Sequence, residues 1–303
     1  MHRLPFRYLA GAAVTLVAAF LLRQTVALAL PGPPDTPPGL DLRPSPNVSA
    51  SSNSNKPDNG RGGGKPGRDV PTAWRDDFGG SSVDLSHWVI ADERAPGYIP
   101  ENHLGWYDPS HVSVQNGNLL IILTQQTGPV DGTQGVLSLG GLIYSKNTYG
   151  YGTYEWRTRM SADAQNNPVS GSVSAGFNYI NNSETEIDFE FSGHDPGYLW
   201  MVNWHNTRPR RGPFESQRDF STVSVPDIST AYHTYKFVWE PGKVTYYVDD
   251  VPITNHVNNV PDAPAYFMIN HWGTNNPFWG GEATTGVTRY YYVDWASYTP
   301  PAQ

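Results

Sequence analysis

The sequence lacks cysteine altogether in its 303 residues. Disulfide frameworks and thiol chemistry are therefore excluded. Sustained helical periodicity is also missing, because apolar residues do not recur at three-to-four-residue spacing for more than a turn or two. No internal repeat is found either. A domain of about 230 residues can still bury enough apolar surface to fold without disulfides.

Long hydrophobic runs are scarce. The extended run from Ala10 to Leu22 is shorter than the about 20 residues that a membrane-spanning helix needs. A basic start precedes it and a small-residue cleavage pattern ends at Ala29, as in a secretory signal. We therefore predict a signal peptide over residues 1–29 and a secreted, extracellular protein. The alternative is an uncleaved membrane anchor through Leu30, which would place Arg23 inside the apolar segment.

Positive charge is scarce beyond the first quarter of the chain. Residues 1–69 carry a net charge of +4 and the remainder a net charge of −12. A domain this acidic is a poor partner for nucleic acid or an anionic membrane surface, and a neutral ligand suits it better. Residues 30–69 are rich in Pro, Ser, Asn and Gly, which predicts a disordered linker. The predicted folded domain covers residues 70–301.

This folded part consists of short β-type runs separated by turn residues. Asn116-Gly117 between two such runs is the strongest short hairpin signal. Pro241-Gly242 suits a type II turn into the run from Val244 to Asp249. Tyr290 to Tyr298 forms a last aromatic strand. The pattern predicts an all-β sandwich of two antiparallel sheets.

The most informative run is the acidic segment from Glu184 to Phe191. Side chains alternate faces along a strand, so its four acids share one face and its apolar residues share the other. The expected core residues are Ile187, Phe189 and Phe191. A solvated outer face is the structural alternative, but such faces usually mix Lys, Thr and Ser with acids, and this one has no cation.

Glycoside hydrolysis gives the acidic row a function. A retaining enzyme needs one ionised carboxylate as nucleophile and one protonated carboxylic acid close by. Three close carboxylates cannot all ionise easily, so one of them keeps its proton near neutral pH. We therefore predict that Glu186 and Glu190 are the two working carboxylates, with Asp188 between them.

Four segments of the chain carry one family pattern. They are Glu186-Ile-Asp-Phe-Glu190-Phe, the opening Asp76-Asp77-Phe78, the YGYG-x-YE-x-R strand from Tyr149 to Arg157, and the hairpin from Tyr232 to Asp249. Together they resemble glycoside hydrolase family 16, in the non-bulged form typical of lichenases. The resemblance covers residues 70 to 300. It implies a concanavalin A-like β-jelly-roll sandwich with an open cleft, and a double-displacement mechanism that retains configuration.

The resemblance also implies roles for single residues. Glu186 would be the nucleophile, Asp188 its assistant and Glu190 the acid/base. Substrate-binding positions implied by the family are Glu155, Arg157, Asn203, Trp204, Asn270 and Trp272. Phe177 and Tyr179 are added because they alternate with core residues on a strand next to the catalytic one. Core packing is the alternative for Trp204 and Trp272.

No cofactor is expected for catalysis. Family members often carry a structural Ca²⁺ held partly by an Asp of the last strand, and Asp294 matches that position. One carboxylate with backbone carbonyls can make a calcium site. A role for Asp294 in capping a turn is the alternative.

The expected activity is endo-acting hydrolysis of a β-1,3-1,4-glucan or a related β-glucan. We expect a monomer whose partner is the polysaccharide, without a nucleic-acid or membrane partner. One alternative is a transglycosylase on xyloglucan or cell-wall glucan, although plant enzymes of that kind usually have a cysteine-containing extension. The other is a lectin, which has no need of the full Glu-x-Asp-x-Glu set. Glu184 stands where lichenases commonly carry Trp, so the linkage stays open.

Overall fold

The computed structural model describes residues 72–181, 183–206 and 218–302. The predicted signal peptide and linker lie outside these residues and stay predictions. Strands make up the regular structure of the described ranges, apart from the short 3-10 helix Pro109–His111. None of the helical structure described is long and apolar enough to cross a membrane. The predicted all-β class is confirmed.

Two sheets pack face to face. In spatial order, the front sheet contains β12 (Arg218–Ser224), β11 (Tyr198–Trp204), β10 (Thr185–Ser192), β9 (Ser172–Ile180), β16 (Ala265–Gly273), β7 (Thr133–Tyr149) and β2 (Trp88–Ile90). The back sheet contains β5 (Val112–Gln115), β6 (Asn118–Val130), β17 (Arg289–Thr299), β8 (Gly152–Ala162), β13 (His233–Glu240), β14 (Lys243–Val248) and β15 (Val251–His256). β1 (Trp74–Asp76) pairs with the end of β17.

The long strands β6 and β7 link the two sheets. Their adjoining ends pair as a hairpin, and each strand then continues into a different sheet. β3 (Glu93–Arg94) pairs with β4 (His103–Tyr107), and β4 lies parallel to β7. All other pairs within the two sheets are antiparallel, which confirms the predicted sandwich.

The predicted turns are also confirmed. Asn116 and Gly117 have φ values of 52° and 73°, the left-handed pair that a type I′ hairpin requires. Gly242 has a φ of 73° and follows Pro241, as a type II turn requires between β13 and β14. Both positions favour residues that tolerate positive φ. The strands on either side therefore start and end where the turn chemistry indicates.

The core between the sheets is largely aromatic. The Trp156 ring on β8 packs at 5.5 Å from both Phe189 of β10 and Phe267 of β16. Phe189 and its strand neighbours Ile187 and Phe191 are fully buried in this core. The apolar side of the acidic strand is therefore inside, as predicted, and its acidic side faces away from the core.

Gly176 on β9 allows the Trp156 ring to lie directly against the front sheet. A Cβ at this position would be 2.4 Å from Cε2 of Trp156, closer than side-chain atoms can approach. β9 is the direct neighbour of the acidic strand β10. The contact therefore sets the distance between the back sheet and the strand that carries the carboxylates.

We predict that Gly176→Ala destabilises the domain by about 1–3 kcal/mol, because the added methyl group overpacks a filled core. The change should lower the melting temperature by several degrees. Thermal unfolding followed by circular dichroism measures it. Gly79→Ala is the matched control, since a Cβ at Gly79 meets nothing within 4 Å. Equal melting temperatures for the two variants would contradict the proposed contact.

Candidate active site

Three carboxylates form a row on the outer face of β10. Glu186, Asp188 and Glu190 alternate with the buried apolar residues of this strand. Their side chains line one depression of about 290 Å³ on the front sheet. The fourth acid, Glu184, precedes the first residue of the strand, and its carboxylate accepts a hydrogen bond from Asn181 Nδ2 at 2.8 Å. The structure therefore brings together three of the four predicted acids.

The strands on both sides of β10 surround each carboxylate with large or apolar side chains. Glu186 lies between Tyr179 of β9 and Trp204 of β11 in the strand register. Glu190 lies in the same way between Ala175 and Trp200. Directly paired residues of antiparallel strands share a face, so these side chains stand beside the carboxylates. They keep water away from the row.

The depression has a compact lining. Besides the three carboxylates it is lined by Pro96, Ala175, Phe177, Asn270 and Trp272. Apolar walls with a few convergent polar groups are typical of small-molecule sites and suit a sugar ring. Among the residues that the structure describes, no cationic side chain contributes to this lining. A neutral ligand fits it better than an anion.

Burial controls the ionisation of the row. Removal from water raises the pKa of Glu186 to about 8, although the hydrogen bond donated by the Ser183 hydroxyl works in the opposite direction. Burial, followed by the neighbouring charge of Glu186, raises the pKa of Glu190 to about 8 as well. Asp188 is only 2% exposed, and burial together with both glutamates raises its pKa well above the usual range. The row therefore retains protons near neutral pH.

Asp188 and Asn270 each keep one unused oxygen in the site. Oδ2 of Asp188 and Oδ1 of Asn270 are buried and meet no hydrogen-bond donor in the part of the chain that the structure describes. Nδ2 of Asn270 donates to the Tyr107 hydroxyl at 3.1 Å. Sugar hydroxyls could satisfy both free acceptors.

Tyr107 is a site residue that the sequence did not indicate. It ends β4 and is fully buried, and its hydroxyl holds the Asn270 side chain beside the depression. Burial raises the pKa of Tyr107 well above its usual value, so it stays protonated. Pro96, which also lines the depression, lies in the connection between β3 and the strand β4 that ends at Tyr107. No pattern within these short strands distinguishes them from ordinary core segments.

Five predicted substrate-binding residues lie on the same face of the front sheet as the carboxylates. Phe177, Asn270 and Trp272 line the depression, and Tyr179 and Trp204 flank Glu186. Trp272 is only 3% exposed, because Gly97 packs against its ring so closely that a Cβ there would be 2.8 Å from it. Their placement agrees with the predicted face, and their contact with sugar stays a prediction.

The placement of Asn203 corrects the prediction that it lines the cleft. Asn203 pairs with Ile187 and therefore faces the core side of β11. Its Nδ2 donates to the carbonyl oxygens of Asn258 and Asn259 at 3.0 Å and 2.6 Å. Its Oδ1 lies 2.5 Å from Nδ1 of His256. Asn203 thus ties β11 to the chain that follows β15.

Glu155 and Arg157 are not in the cleft, which corrects a second prediction. Both lie on β8 of the back sheet and alternate with Trp156, whose ring is in the core. They therefore face outward from the back sheet, on the opposite side of the sandwich from the carboxylate row. Arg157 forms an ion pair with Asp294 and lies 4.8 Å over the Tyr232 ring.

The surroundings of Asp294 do not fit the calcium site that the resemblance implies. Its carboxylate is paired with the Arg157 guanidinium, which already supplies the positive charge there. Within the described ranges, no group of three or more His, Cys, Asp or Glu side chains could hold a metal ion. Asp294 joins β17 to β8 through this ion pair.

Comparison with known proteins agrees with this architecture. The model of the family "Glycosyl hydrolases family 16" matches residues 101–297. A β-glucanase of Acetivibrio thermocellus is 31% identical over 196 residues, which cover 63% of this chain and 52% of the relative. The match thus spans about half the length of that relative.

Solved structures share the fold. A β-1,3-1,4-glucanase (lichenase) derived from a mouse hindgut metagenome superimposes with a TM-score of 0.62 at 22% identity, covering 76% of this chain and 100% of that one. LamA of Z. galactanivorans, in complex with laminaritriose and laminaritetraose, does so with a TM-score of 0.62 at 19% identity, over 76% and 100% of the two chains. With the family pattern matched over most of its described residues, the chain belongs to glycosyl hydrolase family 16.

Proposed function

We propose that this protein is a retaining endo-β-glucanase that cleaves β-1,3-1,4-glucan or a related β-glucan. The observation that carries the proposal is the row Glu186, Asp188 and Glu190. These three carboxylates line one depression together with aromatic side chains and the amide of Asn270. The names of the relatives support the substrate class, since a β-glucanase and a lichenase are among them.

The first chemical step uses both glutamates. The ionised carboxylate of Glu186 attacks the anomeric carbon, while Glu190 donates its proton to the glycosidic oxygen and the C–O bond breaks. The products of this step are a released chain end and a glycosyl ester on Glu186. Burial favours the protonated form of Glu190, as a general acid requires.

The second step reverses the first with water. Glu190, now ionised, takes a proton from a water molecule whose oxygen attacks the anomeric carbon, and the ester bond to Glu186 breaks. Two inversions at the same carbon retain the β-configuration. Asp188 stands between the two glutamates and keeps its proton, because burial and the charges of both glutamates raise its pKa well above the usual range.

The activity is tested with a panel of barley β-glucan, laminarin, xyloglucan and a galactan, followed through released reducing ends. We expect rapid release from a β-glucan and loss of at least about 10³-fold in kcat for Glu186→Gln, because an amide cannot act as the nucleophile. Glu155→Gln is the matched control and should keep wild-type rates, since Glu155 faces outward on the back sheet. Activity retained by Glu186→Gln would overturn the assignment. Products longer than the substrate would indicate transglycosylation.

The acid/base role gives a second prediction. Glu190→Ala should lose activity on polysaccharide yet keep much of it on an aryl glycoside, whose leaving group needs no proton. Azide should accelerate this variant, since it attacks the glycosyl ester without a general base. Proton NMR of the first product reports the stereochemistry, and an initial α-anomer would contradict the proposed mechanism.

The pH profile gives a third prediction. Activity needs Glu186 ionised and Glu190 protonated, so kcat/KM falls when the row gains a proton at low pH and when it loses one at high pH. Because burial raises the pKa of both groups to about 8, the optimum should lie at about pH 7–8 rather than near the pKa of an exposed carboxyl. Initial rates measured from acidic to alkaline pH test this. An optimum near pH 4–5 would contradict the desolvated row.

A further inference from the structure

Ser183 contacts the carboxylate row from outside the strand that carries it. Its hydroxyl donates a hydrogen bond to Oε2 of Glu186. The side chain is 1% exposed, so the contact is shielded from water. Neither the acidic motif nor the roles assigned above include this residue.

The position of the Ser183 side chain depends on an unusual backbone conformation. By the alternation of β10, residue 183 would lie on the core side with residues 185 and 187. The strand begins only at Thr185, however, and Ser183 has a φ of 62° in the turn before it. A left-handed serine is energetically unfavourable, and such residues cluster at functional sites. Here the turn directs the hydroxyl to the opposite side, where Glu186 lies.

The surrounding chain holds this turn in place. The Ser183 carbonyl accepts a hydrogen bond from the Asn206 amide at 2.8 Å, beyond the end of β11. Thr185 Oγ1 donates to the carbonyl of Ala263 at 2.7 Å and anchors the first residue of β10. Neither of these two hydrogen bonds uses the Ser183 hydroxyl, which donates to Glu186.

The hydrogen bond distinguishes Glu186 from its neighbours. In the described part of the chain, Oδ2 of Asp188 has no hydrogen-bond donor, and the raised pKa of Glu190 comes from burial and the charge of Glu186, with no contribution from a hydrogen bond. A hydrogen bond from a neutral hydroxyl stabilises the ionised form of the carboxylate that receives it. A single negative charge in the row is therefore most stable on Glu186. The bond to Oε2 also leaves Oε1 available for attack.

We propose that Ser183 is a positioning residue that places the negative charge of the row on Glu186 and leaves the proton on Glu190. The inference rests on the nucleophile and acid/base roles proposed above. It explains how two glutamates on one strand face would acquire opposite protonation states.

Other charged and titratable groups of the described ranges surround the row. Asp188 and Glu190 face Glu186 from its own strand, where burial and then the charge of Glu186 raise the pKa of both. Tyr179 on β9 pairs with Glu186, and Arg218 on β12 lies over the Trp204 ring at 5.3 Å. The Tyr107 hydroxyl accepts a hydrogen bond from Asn270. Burial, with a smaller contribution from the charge of Glu190, raises the pKa of Tyr107. The hydrogen bond to the Glu186 carboxylate comes from the Ser183 hydroxyl.

The test compares Ser183→Ala and Ser183→Gly with wild type across a full pH profile. At pH 6, kcat/KM should fall about 10- to 100-fold in both variants, the value of a hydrogen bond to a charged group. The acid limb of the profile should move to higher pH by about one to two units, so that the loss is smaller at pH 8. The alkaline limb and the KM for polysaccharide should change little.

Two comparisons separate this role from a structural one. Glycine tolerates the left-handed backbone better than alanine, so recovery of activity in Ser183→Gly but not in Ser183→Ala would show that only the backbone matters. Thr185→Val removes a neighbouring hydroxyl that serves a carbonyl, and it should lower the melting temperature without moving the acid limb. An unchanged acid limb in both Ser183 variants would overturn the inference. Activity in Glu186→Gln would instead overturn the nucleophile assignment, whatever Ser183 does.

Discussion

The desolvation of three carboxylates on one strand is the constraint on which the site depends. Glu186 and Asp188 are almost completely removed from water, and the apolar neighbours of β9 and β11 keep them so. Burying charged groups this way is costly unless they hold protons or receive hydrogen bonds. The row holds protons, and this is the state that a general acid needs near neutral pH. The cost to stability and the capacity for catalysis have the same physical origin.

Packing between the two sheets holds the strand that carries this row in place. The core side of β10 is anchored by Phe189, which meets Trp156 across the sandwich. Trp156 in turn lies against the backbone at Gly176 on the adjacent strand. If either contact were loose, the strand could tilt and let water reach the carboxylates. Close packing therefore maintains the raised pKa values of the row, although none of these residues touches it.

The back sheet contributes support and no chemistry. Arg157 and Asp294 pair across β8 and β17 on its outer face, and the Tyr232 ring lies beneath the guanidinium. The side chains of Arg157 and Asp294 are each more than one-third exposed, and ion pairs of that kind add little to stability. Their contribution is to join two central strands at the face away from the cleft. A motif shared by a family can thus record the architecture of the sandwich as well as its substrate contacts.

The alternation along β10 could be predicted from the order of the residues alone, because the face of a side chain on a strand depends only on whether its position is odd or even. That rule placed Glu186, Asp188 and Glu190 together and Phe189 in the core. The same rule could have rejected Asn203, since Asn203 and Trp204 are consecutive and cannot both face the cleft. The turns at Asn116 and Gly242 could also be predicted from the sequence, because the positive φ values of these residues depend on local residue preferences.

The sheet that each strand joins, and the side chains that lie against it, depend on long-range pairing that a local pattern does not contain. Glu155 and Arg157 face outward as a strand pattern allows, but they do so on the back sheet, because β8 pairs with β13 and β17. Tyr107 reaches Asn270 from a strand 163 residues away in sequence. Ser183 reaches Glu186 through a left-handed turn that reverses the side predicted by alternation. These contacts depend on long-range pairing and on one backbone conformation that serine rarely adopts, and neither is encoded in the local pattern of residues.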